Sequence, residues 1–167
     1  RGATAHAIGT HHLVAFEDGR AAPGDHHFAA GEDGGVDQHL RVAFFEPLLN
    51  GQAITLFGNG STSRDYTYVG DIVQGIISSM DYVLSHQQVY ETINLGSKNP
   101  VQLIDLVHTL EEIIGLPANI QWMDMQEGDV DRTFADIQKA ERLLQYAPNT
   151  SLKEGLTRFV AWLKSNS

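Results

Sequence analysis

Residues 53–72 read A-I-T-L-F-G-N-G-S-T-S-R-D-Y-T-Y-V-G-D-I, an apolar run, a Gly-rich turn and the opening of an amphipathic segment in succession. Ala53–Phe57 is a short apolar and β-branched run, which predicts a strand. Gly58-Asn59-Gly60 ends it, since a tight turn calls for residues that accept positive φ. Arg64 follows, with a planar guanidinium that can make two parallel bonds to a diphosphate. Charge-assisted bonds of that kind contribute about 1.5–3 kcal/mol each. An Arg paired with a structural Asp gives the same text, and the residues alone leave both readings open. Beyond Tyr68 the pattern changes period. Ile72, Val73, Ile76, Ile77, Met80, Val83 and Leu84 recur at helical spacing, predicting a helix over Val69–Ser85 with one buried stripe.

On either side of this stretch, residues 40–49 predict a short apolar helix stopped by Asn50-Gly51, and 89–95 a second strand. A helix over 99–114 would take Asn99 as its cap, Pro100 at its first position and Gln102 as a capping-box partner, and would stop at Gly115. Asn119–Met123 predicts a strand, 135–145 a helix opened by Asp136, and 151–164 a last helix. Ser151 and Glu154 form an S-x-x-E capping box there, with Leu152, Leu156, Phe159, Val160 and Leu163 on the buried face. Strands alternating with helices give an α/β class, although the strands are too few for a complete doubly wound sheet. Residues 1–39 differ: they hold six of the eight histidines among many Gly and Ala and keep no period, so a weakly structured or covering segment is expected, with a short strand at 12–16.

Composition narrows the function. A length of 167 residues suits one domain, and a formal net charge of −10 argues against a nucleic-acid partner, whose backbone is held by Lys and Arg. No apolar run approaches the roughly 18 residues that span a bilayer. The absence of cysteine excludes thiolate metal sites and disulfides and fits a cytoplasmic location. Neither the paired histidines His11-His12 and His26-His27 nor the carboxylates Asp129, Asp131 and Asp136 have the spacing of a metal site, so none is expected. Gly58 and Gly60 after a strand imitate a dinucleotide fingerprint, but its third glycine is replaced by Ser63 and no helix begins there. A nucleotide ligand remains compatible with the second informative stretch, residues 126–136, Q-E-G-D-V-D-R-T-F-A-D. Gly128 turns the chain there, and Asp129 beside it can accept bonds from a ribose diol; a solvated loop explains the same residues.

R-D-Y-T-Y-V-G-D-I (64–72), Y-E-T-I-N-L-G (90–96) and E-G-D-V-D-R-T-F-A-D-I-Q-K-A (127–140) together resemble the extended short-chain dehydrogenase/reductases, the NAD-dependent epimerase/dehydratase family, and most of all its UDP-glucuronate and UDP-glucose 4-epimerases. The resemblance runs from about Val42 to Lys164. It implies a partial Rossmann-related α/β fold, the substrate-binding half of such an enzyme, with few strands and about five helices in residues 40–167. It further implies a UDP-sugar ligand, with Thr55 and Phe57 against the uracil, Arg64 on the diphosphate and Asp129 at the ribose. Gln126 stands where some relatives place an Arg on the phosphates, and its amide donates a bond but brings no charge. Gly70 replaces an acidic residue of the family pattern ahead of Asp71.

The family also binds NAD through an amino-terminal Gly-rich turn and moves a proton with a Tyr-x-x-x-Lys pair. Four residues after Tyr66, Tyr68, Tyr82, Tyr90 and Tyr146 come Gly70, Ile72, His86, Asn94 and Thr150, so no tyrosine of the chain has that lysine. The expectation is a chain with neither catalytic nor cofactor-binding residues, in which 1–39 is unrelated sequence joined upstream. Such a chain would expose apolar faces such as Ile72–Ile76–Met80 and cover them by forming a homodimer or element-swapped oligomer, or by folding residues 1–39 over them.

Overall fold

The computed structural model describes residues 41–125 and 129–165. The expectations for 1–39, including the strand at 12–16, and the position of Gln126 lie outside the described residues.

The first described element is a single π-helical turn, Arg41–Phe45, which runs into α1, Glu46–Leu49. The short apolar helix of the sequence reading is therefore two pieces, with Pro47 in the first turn of α1, where a missing N–H goes unnoticed. Asn50 closes it by donating its N–H to the Glu46 carbonyl (3.0 Å), and Gly51 takes φ +65°. β1, Ala53–Phe57, buries Ile54 and Leu56 and leaves Ala53 and Thr55 exposed, the period of two of a half-buried strand. It pairs in parallel with β4, Asn119–Met123, Ile54 opposite Ile120 and Phe57 opposite Met123. A second ladder is antiparallel and very short: β2, Ser63–Arg64, against β3, Val101–Gln102.

Two apolar clusters hold these pieces together. The larger gathers Phe45 and Leu48 before the first strand, Ile54 and Leu56 of β1, Leu106, Val107 and Leu110 of α3 (Leu103–Ile114), and Leu156, Val160 and Leu163 of α5 (Leu152–Ser165). The smaller joins Ile72 of α2 (Val69–Ser85) to Ile93, Leu95, Ala135, Ile137, Tyr146, and Ala140 and Leu144 of α4 (Gln138–Leu144).

Four further segments depart from their expected form. α3 starts at Leu103, three residues after the Pro100 proposed for its first turn, because its leading N–H groups find other acceptors: Leu103 N–H donates to the Thr62 carbonyl (2.8 Å) and Ile104 N–H to the Gly60 carbonyl (3.1 Å). Asn99 does not cap it; its amide donates to the Ser97 carbonyl instead. Residues 89–95 form no ladder with another described strand, although Ile93 and Leu95 are buried, so the apolar pattern marks packing without pairing. α4 begins at Gln138, with the Asp136 carboxylate accepting the Gln138 N–H at 3.0 Å just ahead of it. Finally, α2 does not bury one continuous stripe. Ile72 is fully buried, contrary to its expected exposure, whereas Ile77, Met80 and Leu84 are 54%, 57% and 83% exposed.

The reason lies at Gly75. A β-carbon there would sit 2.8 Å from the Leu95 side chain and 3.0 Å from Tyr146, so α2 presses its backbone on the smaller core near its start. The 17-residue helix is about 25 Å long, and its later turns extend past that contact. The last helix follows its sequence signal closely. Ser151 Oγ accepts the Glu154 N–H at 3.2 Å, one arm of the capping box, while Glu154 turns away to Arg158 at 2.6 Å.

Candidate functional site

The loop between β1 and β2 is built by its small residues. Gly58 and Gly60 hold φ of +71° and +78°, and Asn59 Oδ1 accepts both the N–H (3.1 Å) and the hydroxyl (2.6 Å) of Ser61. A β-carbon at Gly60 would lie 3.1 Å from Ile104 and from the Trp122 ring, and one at Gly58 3.1 Å from Met125 Sδ. The glycines therefore admit neighbouring side chains of the same chain. Since the next element is β2 rather than a helix, and the α3 N-terminus is already bonded to this turn, these residues do not fit the diphosphate cradle of NAD.

β2 is held from both sides. Besides its pairing with β3, Ser63 donates its N–H to the Asp131 carbonyl (2.9 Å) and accepts the Thr133 N–H (3.0 Å), so residues 131–133 run alongside it. That arrangement brings the second informative stretch against the first. Arg64 Nη2 donates to Asp129 Oδ1 at 2.5 Å, and Nη1 to the carbonyl of Ser63 at 3.0 Å. The two side chains are only 14% and 20% exposed. The sequence left Arg64 as a ligand group or the partner of an Asp; here it pairs with the very Asp expected to approach a ribose. Thr55 is exposed in mid-strand and Phe57 half-buried at the end of β1, on the face turned away from the larger core. Gln126 is not among the described residues.

The residue that sequence reasoning missed is Asp65. It is 1% exposed, and its carboxylate accepts backbone N–H groups from Ser97 (2.9 Å), Lys98 (3.1 Å) and Ala135 (3.2 Å), together with the Ser97 hydroxyl. One side chain thus ties the first motif to the third and to Ser97 and Lys98, which directly follow the second, and fixes the backbone next to Arg64. Gly96 allows it: a β-carbon there would be 2.4 Å from Ala135 Cβ and 2.9 Å from Asp65 Oδ2. The available signal was weak: an acidic residue between Arg64 and the aromatic Tyr66 and Tyr68, in a stretch that is otherwise polar on its amino-terminal side. Asp71 does a similar job at the head of α2, accepting the N–H and hydroxyl of Thr150, each at 3.1 Å. Tyr146 is buried with its hydroxyl donating to the Gly96 carbonyl (3.1 Å), and burial, reinforced by Asp71 and Asp65, pushes its phenol well above the usual 10.0.

A short parallel pair, a Gly turn leading to a half-buried Arg–Asp pair, and helices on one side define a partial Rossmann-related α/β unit. Comparison with known proteins agrees. The family model described as GDP-mannose 4,6 dehydratase matches residues 29–159. A UDP-glucuronate 4-epimerase of Thermodesulfobacterium geofontis is 39% identical over 124 residues, 74% of this chain and 37% of that protein. UDP-glucuronate 4-epimerase 2 of Arabidopsis thaliana is 34% identical over 71% of this chain and 30% of its own. Among solved structures, the UDP-glucuronic acid 4-epimerase of Bacillus cereus in complex with UDP-glucuronic acid and NAD superposes with a TM-score of 0.67 at 31% identity, over 75% of this chain and 39% of that one. The chain belongs to this family of NAD-dependent epimerases and dehydratases, and it spans well under half the length of these relatives.

Proposed function

We propose that the chain is the sugar-nucleotide-binding part of an epimerase or dehydratase and takes a UDP-sugar. The observation that carries this reading is the Arg64–Asp129 pair: a guanidinium suited to a diphosphate and a carboxylate suited to a ribose diol, brought together from two motifs 65 residues apart. Phe57 and Thr55 supply a flat apolar face and a hydroxyl on the outer face of β1 for the uracil. The Gln126 amide adds an uncharged donor for the phosphates. Because the sequence has no Tyr-x-x-x-Lys pair and its Gly turn does not fit NAD, no step of proton or hydride transfer is assigned to these residues, and the chain by itself is inactive.

A second reading rests on α2. Its exposed Ile77, Met80 and Leu84, beside residues 89–95 with buried apolar side chains and no strand partner among the described residues, suit a surface completed by more polypeptide. A second copy of the chain in a homodimer or element-swapped oligomer is one source, and a separate NAD-binding subunit is another; a module kept only for such contacts would bind no nucleotide. We place the protein in the cytoplasm. Among the described residues no helix is long and apolar enough to cross a membrane. Thermal denaturation with and without UDP tests the ligand: a raised midpoint supports the nucleotide reading, and an unchanged one favours the interaction module. Assays of NAD reduction and of epimerisation test inactivity, and turnover by the chain alone would overturn it.

A further inference from the structure

The geometry points to Asp129 as the specificity-determining residue of this site, one that keeps Arg64 from simple phosphates and yields it to ligands carrying a diphosphate beside a vicinal diol; this rests on the reading of the site given above. Arg64 is already engaged, Nη2 with Asp129 Oδ1 at 2.5 Å and Nη1 with the Ser63 carbonyl at 3.0 Å. A half-buried pair of that kind is neutral as a unit, so it offers an anion little attraction. A phosphate reaching Nη2 must displace the carboxylate, which is of like charge. Inorganic phosphate or pyrophosphate gives the displaced carboxylate nothing in return. A nucleoside diphosphate brings two ribose hydroxyls, and an ionised carboxylate is an acceptor that needs such donors. The exchange falls on Asp129, because the backbone of Arg64 is fixed by β3 on one side and residues 131–133 on the other, and by the buried Asp65 next to it.

Calorimetric titration of the full chain with pyrophosphate and with UDP, at one ionic strength, tests this in the wild type, Asp129→Asn, and Asp129→Asn combined with Arg64→Ala. Asp129→Asn is expected to bind pyrophosphate about tenfold or more tightly than the wild type, since one charge-assisted bond no longer has to be broken, and UDP more weakly. The double variant should lose the gain. Asp129→Ser, read the same way, replaces Asp129→Asn if the latter fails to fold by circular dichroism. Unchanged pyrophosphate affinity in a folded variant, while UDP still binds through Arg64, overturns the selectivity and leaves the site intact. Equal gains for both ligands overturn it as well, because Asp129 would then only repel. If UDP binds none of the proteins, the site reading and the selectivity fall together.

Discussion

Asp65 shows most clearly what a single residue contributes. Three backbone N–H groups from two distant segments converge on its carboxylate, so Asp65→Asn, which keeps the shape but replaces one acceptor oxygen by a donor, should cost about 2–4 kcal/mol, read as a lower urea midpoint. Gly96→Ala should cost about 1–3 kcal/mol by forcing Ala135 and Asp65 apart. Tyr146 makes the fold sensitive to alkali. Its folded pKa lies above its unfolded value of 10.0, so its contribution is fully present below pH 10 and is lost as pH rises, because the unfolded chain then releases a proton that the fold retains. Stability measured between about pH 9 and 11 should fall, and Tyr146→Phe should flatten that fall while costing about 1 kcal/mol at neutral pH. Arg64 and Asp129 stood out in the sequence by their chemistry. Their direct pairing did not, because it depends on residues 131–133 lying along β2, a contact across some 65 positions that no local pattern encodes.

Among the elements, legibility followed how local each signal is. β1, β4 and α2 have the bounds their apolar runs predict, and α5 keeps its Ser151 cap. Ser151→Ala should therefore lower stability by about 1 kcal/mol in a denaturant titration. The start of α3 was misread because its first N–H groups are satisfied by carbonyls of the Gly58–Gly60 turn and Thr62 rather than by a neighbouring side chain. Residues 89–95 were misread as a strand because burial and pairing leave the same apolar trace in sequence. For α2 the period was right and the burial was not: a helix pattern reports which residues share a face, and only the packing at Gly75 says how far along that face the core reaches. If a second copy covers this face, Ile77→Asp with Met80→Glu should shift the mass seen by light scattering from dimer to monomer and leave the helical circular dichroism in place. A wild-type chain that is already monomeric and binds no apolar dye would exclude the dimer.

At the scale of the whole molecule, two small cores are linked by polar ties, with Asp65 and Asp71 reaching across segments that the apolar clusters do not join. The α/β class and the membership of the epimerase/dehydratase family were legible, because three motifs in order identify a family better than any one of them. Nucleoside diphosphate binding by the Arg64–Asp129 pair is the proposal on which the rest depends. Titrating UDP into the wild type and Arg64→Ala by calorimetry should give saturable heat for the wild type and binding weaker by about tenfold or more for the variant. Wild-type protein that is folded and gives no heat, or binding equal in both proteins, would contradict it.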